Sequence, residues 1–586
     1  MNYNLNQING KEEKKSTFAV LKKLLQLISH ERKNVLLAFI AIMINSTLLL
    51  LSPLIIGHTI DNYVSTKQYN GVLKYSGILF CIYLITLLTG YLQTKLMGGV
   101  GQRTLYTLRN AIFSKLQELP VSFFSQNKAG DLISRVNNDT DKLNQFFSQS
   151  LMQFLSSIFT MLGAGIFLLA INLKLGAATL TPALFILLFT GLVSAWVKSK
   201  NAVNLKSVGN LSAGIQESLN NFKVIIAFNR RDYFRKRFDE TNQQNYKTAI
   251  GAGIANTIFI PVFGFFSSVA QLVVLVYGIH LISIGEFTIG LLISYLSYAV
   301  NFYNPLRQLA ALWSSFQVAM AGWDRISQIL SLESNLQIVK DSTESVSDSL
   351  LTFKNVHFSY AGGEEILHNI SFDLQKGKTY ALIGPTGGGK TTTASLMARL
   401  YDTTKGSVLL NGKDIRSYTA EERSKKIGFI LQEPFLFTGT VKDNILYSNI
   451  AYKDYTNAQL EEVIEAAHLE GLLALFDKGL ETEVASNSDN ISLGQKQLIA
   501  FMRAVLRNPE LLILDEATAN IDTITERLLS DILKKLPKET TLVIIAHRLN
   551  TIENADEIYF VNSGEVIKAG TLDHAMDMLL KRKRSS

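Results

Sequence analysis

The sequence predicts a multidomain protein: an all-α part of six membrane-crossing helices, followed by an α/β domain built on a largely parallel sheet. Three observations carry that expectation. Six long apolar segments fall between residues 35 and 312, the loops joining them carry their basic residues unevenly, and beyond residue 350 short β-rich runs alternate with helical stretches. A chain of 586 residues exceeds what one hydrophobic core organises. With 47% apolar and 18% charged residues it is too apolar for a wholly soluble chain and too polar for one that is all membrane.

Residues 1–16, MNYNLNQINGKEEKKS, are polar and expected to be disordered. No short apolar core with a small-residue cleavage site follows them, so no removable signal peptide is expected. In TFAVLKKLLQLISHERK, residues 17–33, Phe18, Leu21, Leu25 and Ile28 recur at helical spacing opposite Lys22 and Lys23. That is the pattern of a helix lying on a membrane surface. The segments 35–56, 72–94, 151–171, 175–197, 254–282 and 288–312 each reach the roughly 20 residues that cross a hydrocarbon core, and they define a transmembrane domain over 17–328. Connections after the first, third and fifth segments are short. Those after the second and fourth are long and basic, holding Arg103, Arg109, Lys115, Lys128 and Arg135, then Lys198, Lys200, Lys206, Arg230, Arg231, Arg235 and Arg237. The positive-inside rule places both termini and both long loops in the cytosol, with the chain multi-pass in the cell membrane. A buried soluble helix explains any one apolar run, but not six with this charge asymmetry. The net charge of +8 raises nucleic acid as a partner. The Lys and Arg before residue 330 gather on one side of the apolar runs, however, so the charge is assigned to the membrane and no nucleic acid is expected. Cys81, the one cysteine, lies in an apolar run and reads as a small core residue without a redox or metal role.

A polar linker, 329–349, leads to the α/β domain over 350–580, and residues 581–586 form a basic tail expected to be solvated. The strand runs are LLTFKNVHFSY, TYALIG, SVLLNG, IGFILQ, LLILDEA, TLVIIAH and EIYFVNSGEVIKAG. Within them, GPTGGGKT (Gly384, Pro385, Thr386, Gly387, Gly388, Gly389, Lys390, Thr391) follows an apolar strand and opens a helix that continues through Thr392. Its glycines let backbone amides converge on phosphate oxygens, while Lys390 reaches the β- and γ-phosphates and Thr391 offers a hydroxyl to Mg²⁺. The domain therefore reads as a P-loop NTPase using ATP and Mg²⁺.

LLILDEA delivers Asp515 and Glu516 at the C-terminal end of a buried strand, where α/β sheets place ligands. Asp515 is expected to hold Mg²⁺, Glu516 to polarise the attacking water, and His547 to contact the γ-phosphate. Gln432, after IGFIL, is a candidate γ-phosphate and Mg²⁺ sensor, and Tyr360 in FSYAGG a candidate for stacking on the base. Alone, an Asp-Glu pair at a strand end is a solvated acidic edge and Tyr360 an ordinary strand aromatic; the P-loop upstream is what gives them a site.

The P-loop, Gln432, ISLGQ, LLILDEA, ANID and AHR, in this order after six spans, resemble the ATP-binding cassette (ABC) exporters with fused membrane and nucleotide domains. Residues 119–141, LPVSFFSQNKAGDLISRVNNDTD, and 206–230, KSVGNLSAGIQESLNNFKVIIAFNR, are similar to the two intracellular loops of that family, whose coupling helices touch the nucleotide domains. The resemblance implies a half-transporter whose nucleotide domain pairs head to tail with a second ABC chain. ATP then lies between one P-loop and the other chain's signature helix, here Ser492, Gly494 and Gln495, and Asp522 resembles the loop that crosses the same seam. The helix N-terminus there directs about half a positive charge at the phosphate.

Two departures from the family pattern stand out. Leu493 replaces the usual glycine of L-S-G-G-Q, and TEVASNS, beginning at Thr482, replaces a T-x-V-G-E-R-G type loop. With Lys390, Gln432, Asp515, Glu516 and His547 in place, this combination resembles the catalytically competent subunit of a heterodimeric exporter; a homodimer tolerating Leu493 at both sites is the alternative. Amphipathic drugs or lipids are the implied cargo, with export by alternating access, and membrane lipids the surroundings. An ATP-gated channel is the reading from a different class. Asn45, Gln271, Tyr295, Tyr298, Asn301 and Trp313 are candidates for a pathway lining, and each is equally explained by packing between helices.

Overall fold

The computed structural model describes residues 3–5, 26–333, 336, 338–339, 349–485, 491–515, 523–545, 552 and 555–583. Up to residue 330 the helical segments are α1 (Ser29–Val64), α2 (Tyr69–Glu118), α3 (Val121–Gln126), α4 (Ala129–Ile171), α5 (Leu173–Asn220), α6 (Phe222–Ala227), α7 (Arg231–Ser283) and α8 (Ile289–Leu330). The chain divides into two compact units: Glu12–Leu116 with Gly130–Ser331, and Met1–Lys11 with Gln117–Ala129 and Leu332–Ser586. This differs from a simple division in chain order, because the short helix α3 packs with the α/β unit.

In the helical unit, α1, α2, α4, α5 and α7 are long and apolar enough to cross a membrane. The sixth expected crossing, α8, is a 42-residue helix outside that set; Tyr, Asn and Arg residues such as Asn304 and Arg307 lower its apolar content. At 1.5 Å per residue the 50-residue α2 runs about 75 Å, well beyond a hydrocarbon core of about 30 Å. Cys81 is exposed on α2 rather than buried in a core: the outward face of a membrane helix is apolar without needing protein to cover it.

Close packing holds α8 at the centre of this unit. Gly57 and Gly290 bring α1 and α8 into backbone contact where a Cβ on either would collide with the other's carbonyl. Asp61 caps the start of α8, its carboxylate accepting from Gly290 N–H (2.8 Å) and the Thr288 hydroxyl (2.6 Å). Tyr295 and Tyr298 are fully buried, so they belong to packing and not to a pathway wall. Their hydroxyls donate to the carbonyls of Leu168 and Leu50, since a phenol taken into an apolar core must find an acceptor. Asn45 likewise donates to Thr86 O and the Thr89 hydroxyl at 2.9 and 3.1 Å.

A buried ion network joins α4 to the end of α8. Arg135, 1% exposed, pairs with Asp131 at 2.9 Å and donates to Arg325 O and to Gln328 Oε1 at 2.6 and 2.9 Å. Arg325 pairs with Asp131 and, at 2.8 Å, with the fully buried Asp139.

In the second unit, β1 (Ser349–Ser359), β2 (Glu365–Gln375), β4 (Lys405–Leu410) and β5 (Lys413–Asp414) form an antiparallel sheet in the order β2-β1-β4-β5. β2 has no counterpart in the expected strand set: its buried residues are Leu367, Ile370, Phe372 and Leu374, and the adjacent exposed pair His368 and Asn369 breaks their alternation. The core sheet runs β12-β11-β3-β10-β9-β6, with β3 (Thr379–Ile383), β6 (Ile427–Ile430), β9 (Leu511–Asp515), β10 (Thr541–Ile545) and β11 (Glu557–Asn562) parallel and β12 (Glu565–Gly570) antiparallel at the edge. β9 and β10 are buried at every residue, which matches their unbroken apolar sequence.

The expectation of disorder over 1–16 fails at residues 3–5, where Tyr3 and Leu5 are 0% and 1% exposed, because apolar side chains there find a protein surface to cover. Most of the surface helix expected over 17–33 lies outside the described residues, as do residues 584–586. Residues 581–583 continue the closing helix Leu572–Lys583 and are not a free tail.

Removing one member of a buried ion pair leaves the other uncompensated, at about 3–5 kcal/mol. Arg135→Ala is therefore expected to lower the melting temperature of the detergent-solubilised protein by several degrees, whereas Lys425→Ala, in an exposed pair with Glu421, leaves it in place. Equal melting temperatures for the two variants would contradict the structural weight given to Arg135.

Candidate functional site: a phosphate loop over a parallel sheet

β3 ends at Ile383, and the chain turns through Gly384–Gly389 into α9 (Lys390–Met397). Gly384, Gly387 and Gly389 have φ of 146°, 80° and 109°, which side-chain-bearing residues rarely adopt. Gly388 answers a different need: a Cβ there would lie 2.6 Å from Val561 O and 3.1 Å from Pro385 O. The β11–β12 turn rests on the loop at this point, with Gly564 N–H donating to Gly388 O at 3.3 Å. Gly388 thus permits a close approach, where the sequence showed only one more flexible residue.

Lys390 is 6% exposed, and its Nζ donates to Gly384 O and Pro385 O at 2.9 and 3.0 Å. These two bonds hold the ammonium against the loop's first two carbonyls. Thr391, exposed at the start of α9, places its hydroxyl 3.4 Å from Asp515 Oδ1 at the end of β9. Sheet register explains the meeting: Leu382 pairs with Ile545 and Ile545 with Asp515, so β3 and β9 finish level on either side of β10. Thr386 is exposed on the outer loop beside Pro385. Gln432 is exposed just after β6, the strand beyond β9.

Tyr360 follows β1, and its hydroxyl lies 3.3 Å from that of Thr392. Its ring stands edge-on to Phe358 and Tyr401, with centroids 4.9 and 5.1 Å away. Glu516, Asp522 and His547 lie outside the described residues.

Ser492 caps α10 (Leu493–Val505) in a reciprocal box: its hydroxyl accepts from Gln495 N–H at 3.2 Å and its own N–H donates to Gln495 Oε1 at 3.0 Å. Gln495 Nε2 also donates to Leu475 O at 3.3 Å. None of these bonds reaches the Gly384–Thr391 loop, so this helix start is not brought to the chain's own phosphate loop by them. Leu493 is 42% exposed between Ser492 and Gly494.

Sequence reasoning passed over Arg503 on α10. Its guanidinium donates to Asn444 O, Asn444 Oδ1 and Phe435 O at 2.8, 3.0 and 3.1 Å and lies over the rings of Tyr447 and Phe437. Burial pushes its pKa below the ordinary value. The side chain ties the segment after Gln432 to the signature helix. The available signal was an arginine inside the apolar run IAFMRAV.

A level row of parallel strands crowned by a glycine-rich loop, and joined in sequence to long membrane helices, defines a nucleotide-driven membrane protein. Residues 35–306 match the ABC transporter transmembrane region and 367–519 the ABC transporter family proper. The ATP-dependent lipid A-core flippase of Vibrio parahaemolyticus is 30% identical over 97% of this chain and 96% of its own. A multidrug resistance ABC transporter ATP-binding and permease protein of Lactococcus lactis is 28% identical over 96% of this chain and 95% of its own. A bacterial Atm1-family ABC exporter solved with ATP bound shares the fold, with a TM-score of 0.78 at 22% identity over 94% and 96% of the two chains. This chain belongs to the ABC transporter family: it is a membrane protein that binds nucleotide and hydrolyses ATP in step with transport.

Overpacking a tight contact costs about 1–3 kcal/mol. Gly388→Val is accordingly expected to weaken ATP binding by about ten-fold or more, read by nucleotide titration, with the circular dichroism spectrum unchanged. Unaltered affinity would contradict the role of the Val561 contact in shaping the loop.

Proposed function

We propose that the chain is one half of a dimeric exporter that moves amphipathic small molecules or lipids out across the cell membrane by alternating access. The observation that carries this reading is the meeting of Thr391 and Asp515 beneath the lysine-bearing loop. A hydroxyl and a carboxylate at this separation suit a hard cation that keeps water and phosphate oxygens as its remaining ligands. Among the described residues no cluster of three His, Cys, Asp or Glu offers a site for another metal. Thr391, Asp515 and Gln432 would hold Mg²⁺, which when bound neutralises charge on the transferred phosphoryl group.

The chain's own residues have these assigned roles. Tyr360 receives the base; Gly384 to Thr392 cradle the phosphates; Lys390 leaves the loop carbonyls for the β- and γ-phosphates. Glu516 accepts the proton of the attacking water as the bond from γ-phosphorus to the ADP oxygen breaks, and His547 contacts the γ-phosphate. Ser492, Gly494 and Gln495, with Asp522, complete the second ATP site on the partner's P-loop. The basic long loops support cytosolic placement of both termini and of the nucleotide domain. The names of the similar proteins, a lipid flippase and a multidrug transporter, support an amphipathic cargo.

A heterodimer is favoured by Leu493. Its branched side chain stands half-exposed where backbone must approach a phosphate, while the residues assigned to this chain's own site are those that hydrolysis needs. The partner's P-loop site, closed by Leu493, then turns over slowly.

Glu516→Gln in the assembled transporter is expected to retain ATP binding and lose turnover by about 10²-fold or more, because water activation is lost while the cradle remains. Wild-type hydrolysis would remove Glu516 from the mechanism. Copurification of the tagged chain from its native membrane is expected to bring down a second ABC chain in equal amount, whereas an active dimer of this chain alone would refute the heterodimer.

A further inference from the structure

We propose that Tyr3 is a positioning residue for the nucleotide site, acting through α3. A six-residue helix has no stability of its own, so something must hold α3 in place. Phe123, its central residue, is fully buried. The Tyr3 ring meets it edge-on at 6.3 Å and 87°.

The rest of the attachment is a set of bonds between backbone groups and the side chains of Gln126, Asn127 and Tyr3. Tyr3 N–H donates to Gln126 Oε1 at 2.9 Å. Asn127 closes the other side: its Oδ1 accepts from Leu5 N–H at 3.1 Å, and its Nδ2 donates to Tyr3 O and Phe123 O at 2.9 and 2.8 Å. The Tyr3 hydroxyl donates to Glu333 O at 2.9 Å, so the same residue fastens α3 to the polypeptide that follows α8. The segment is a strap, its backbone held by the Gln126 and Asn127 side chains.

What the strap holds is one wall of a cavity. Pro120, Ser122, Ser125 and Gln126 line a space of about 390 Å³ opposite Tyr360 and Tyr401. Ser125 and Tyr401 face the same space. Displacing α3 therefore moves the surroundings of Tyr360, while the bonds from Lys390 to Gly384 O and Pro385 O and from Thr391 to Asp515 involve no residue of α3. Tyr3 is in this way expected to govern affinity for ATP and not the chemical step. The inference rests on the assignment of Tyr360 to the base.

The test uses the full-length transporter with its partner in nanodiscs. Tyr3→Ala is expected to raise the KM for ATP about three- to ten-fold while kcat changes less than about two-fold, a split that general loss of fold would not produce. Tyr3→Phe, which keeps the ring and loses the bond to Glu333, falls between. Hydrogen exchange at residues 121–127 is expected to speed up about ten-fold or more in Tyr3→Ala, with the core strands unaffected. Tyr360→Ala supplies the control for the base site. If it weakens ATP binding and Tyr3→Ala leaves KM unchanged, the role given to Tyr3 is wrong. If Tyr360→Ala has no effect, the base assignment falls instead, and unchanged exchange at 121–127 in Tyr3→Ala then overturns the strap as well.

Discussion

The structure's chemistry depends on a matter of register. β3 and β9 are not neighbours; β10 lies between them, and only because all three strands run parallel and in step do Leu382 and Asp515 fall at one level. A slip of one residue in either pairing would turn Asp515 to the opposite face of the sheet. Every residue in β9 and β10 is buried, so a slip would have to repack both covered faces of the sheet. The hydroxyl at the start of α9 can then meet a carboxylate 124 residues away in sequence.

The loop above this row is shaped from outside as well as by its own glycines. The β11–β12 turn presses on Gly388, and β2 runs beneath, with Leu367 against Gly389. β2 belongs to the antiparallel sheet that also carries Tyr360 at the end of β1. Phosphate loop and candidate base contact are therefore set by one packed arrangement, and Tyr360 reaches Thr392 directly. At the other end of the same unit, Arg503 gathers Asn444, Phe435 and two aromatic rings onto α10, so that the segment after Gln432 and the signature helix share an anchor. In the helical unit the comparable anchor is Arg135, which draws α4 and the end of α8 together in a buried charge network.

Much of this was legible because local sequence and global fold agree. GPTGGGKT after an apolar strand needs its glycines for reasons that backbone dihedrals then display, and LLILD could only be a fully buried strand. The order of motifs after six spans sufficed for the family. Features that rest on distant contacts were not legible. β2 alternates imperfectly, and β12, one of the strands it packs against, is remote in sequence and belongs to the other sheet. Tyr295 and Tyr298 were equally consistent with a cavity until their hydroxyls were seen to end on helix carbonyls. Tyr3 and Leu5 stand among polar residues, and nothing local announces that α3 will receive them. Gly388 gives no local sign of the close approach it permits, because the neighbour that requires it, Val561, is remote in sequence.

The central claim is that ATP held between this row of strands and a second chain drives cargo across the membrane. It is tested most directly by following a fluorescent amphipath in inside-out vesicles that contain the chain with its partner. MgATP added outside is expected to produce accumulation against the concentration gradient in wild-type vesicles and none with Asp515→Asn. Movement that only dissipates the gradient, or uphill accumulation that survives the loss of that carboxylate, would contradict it.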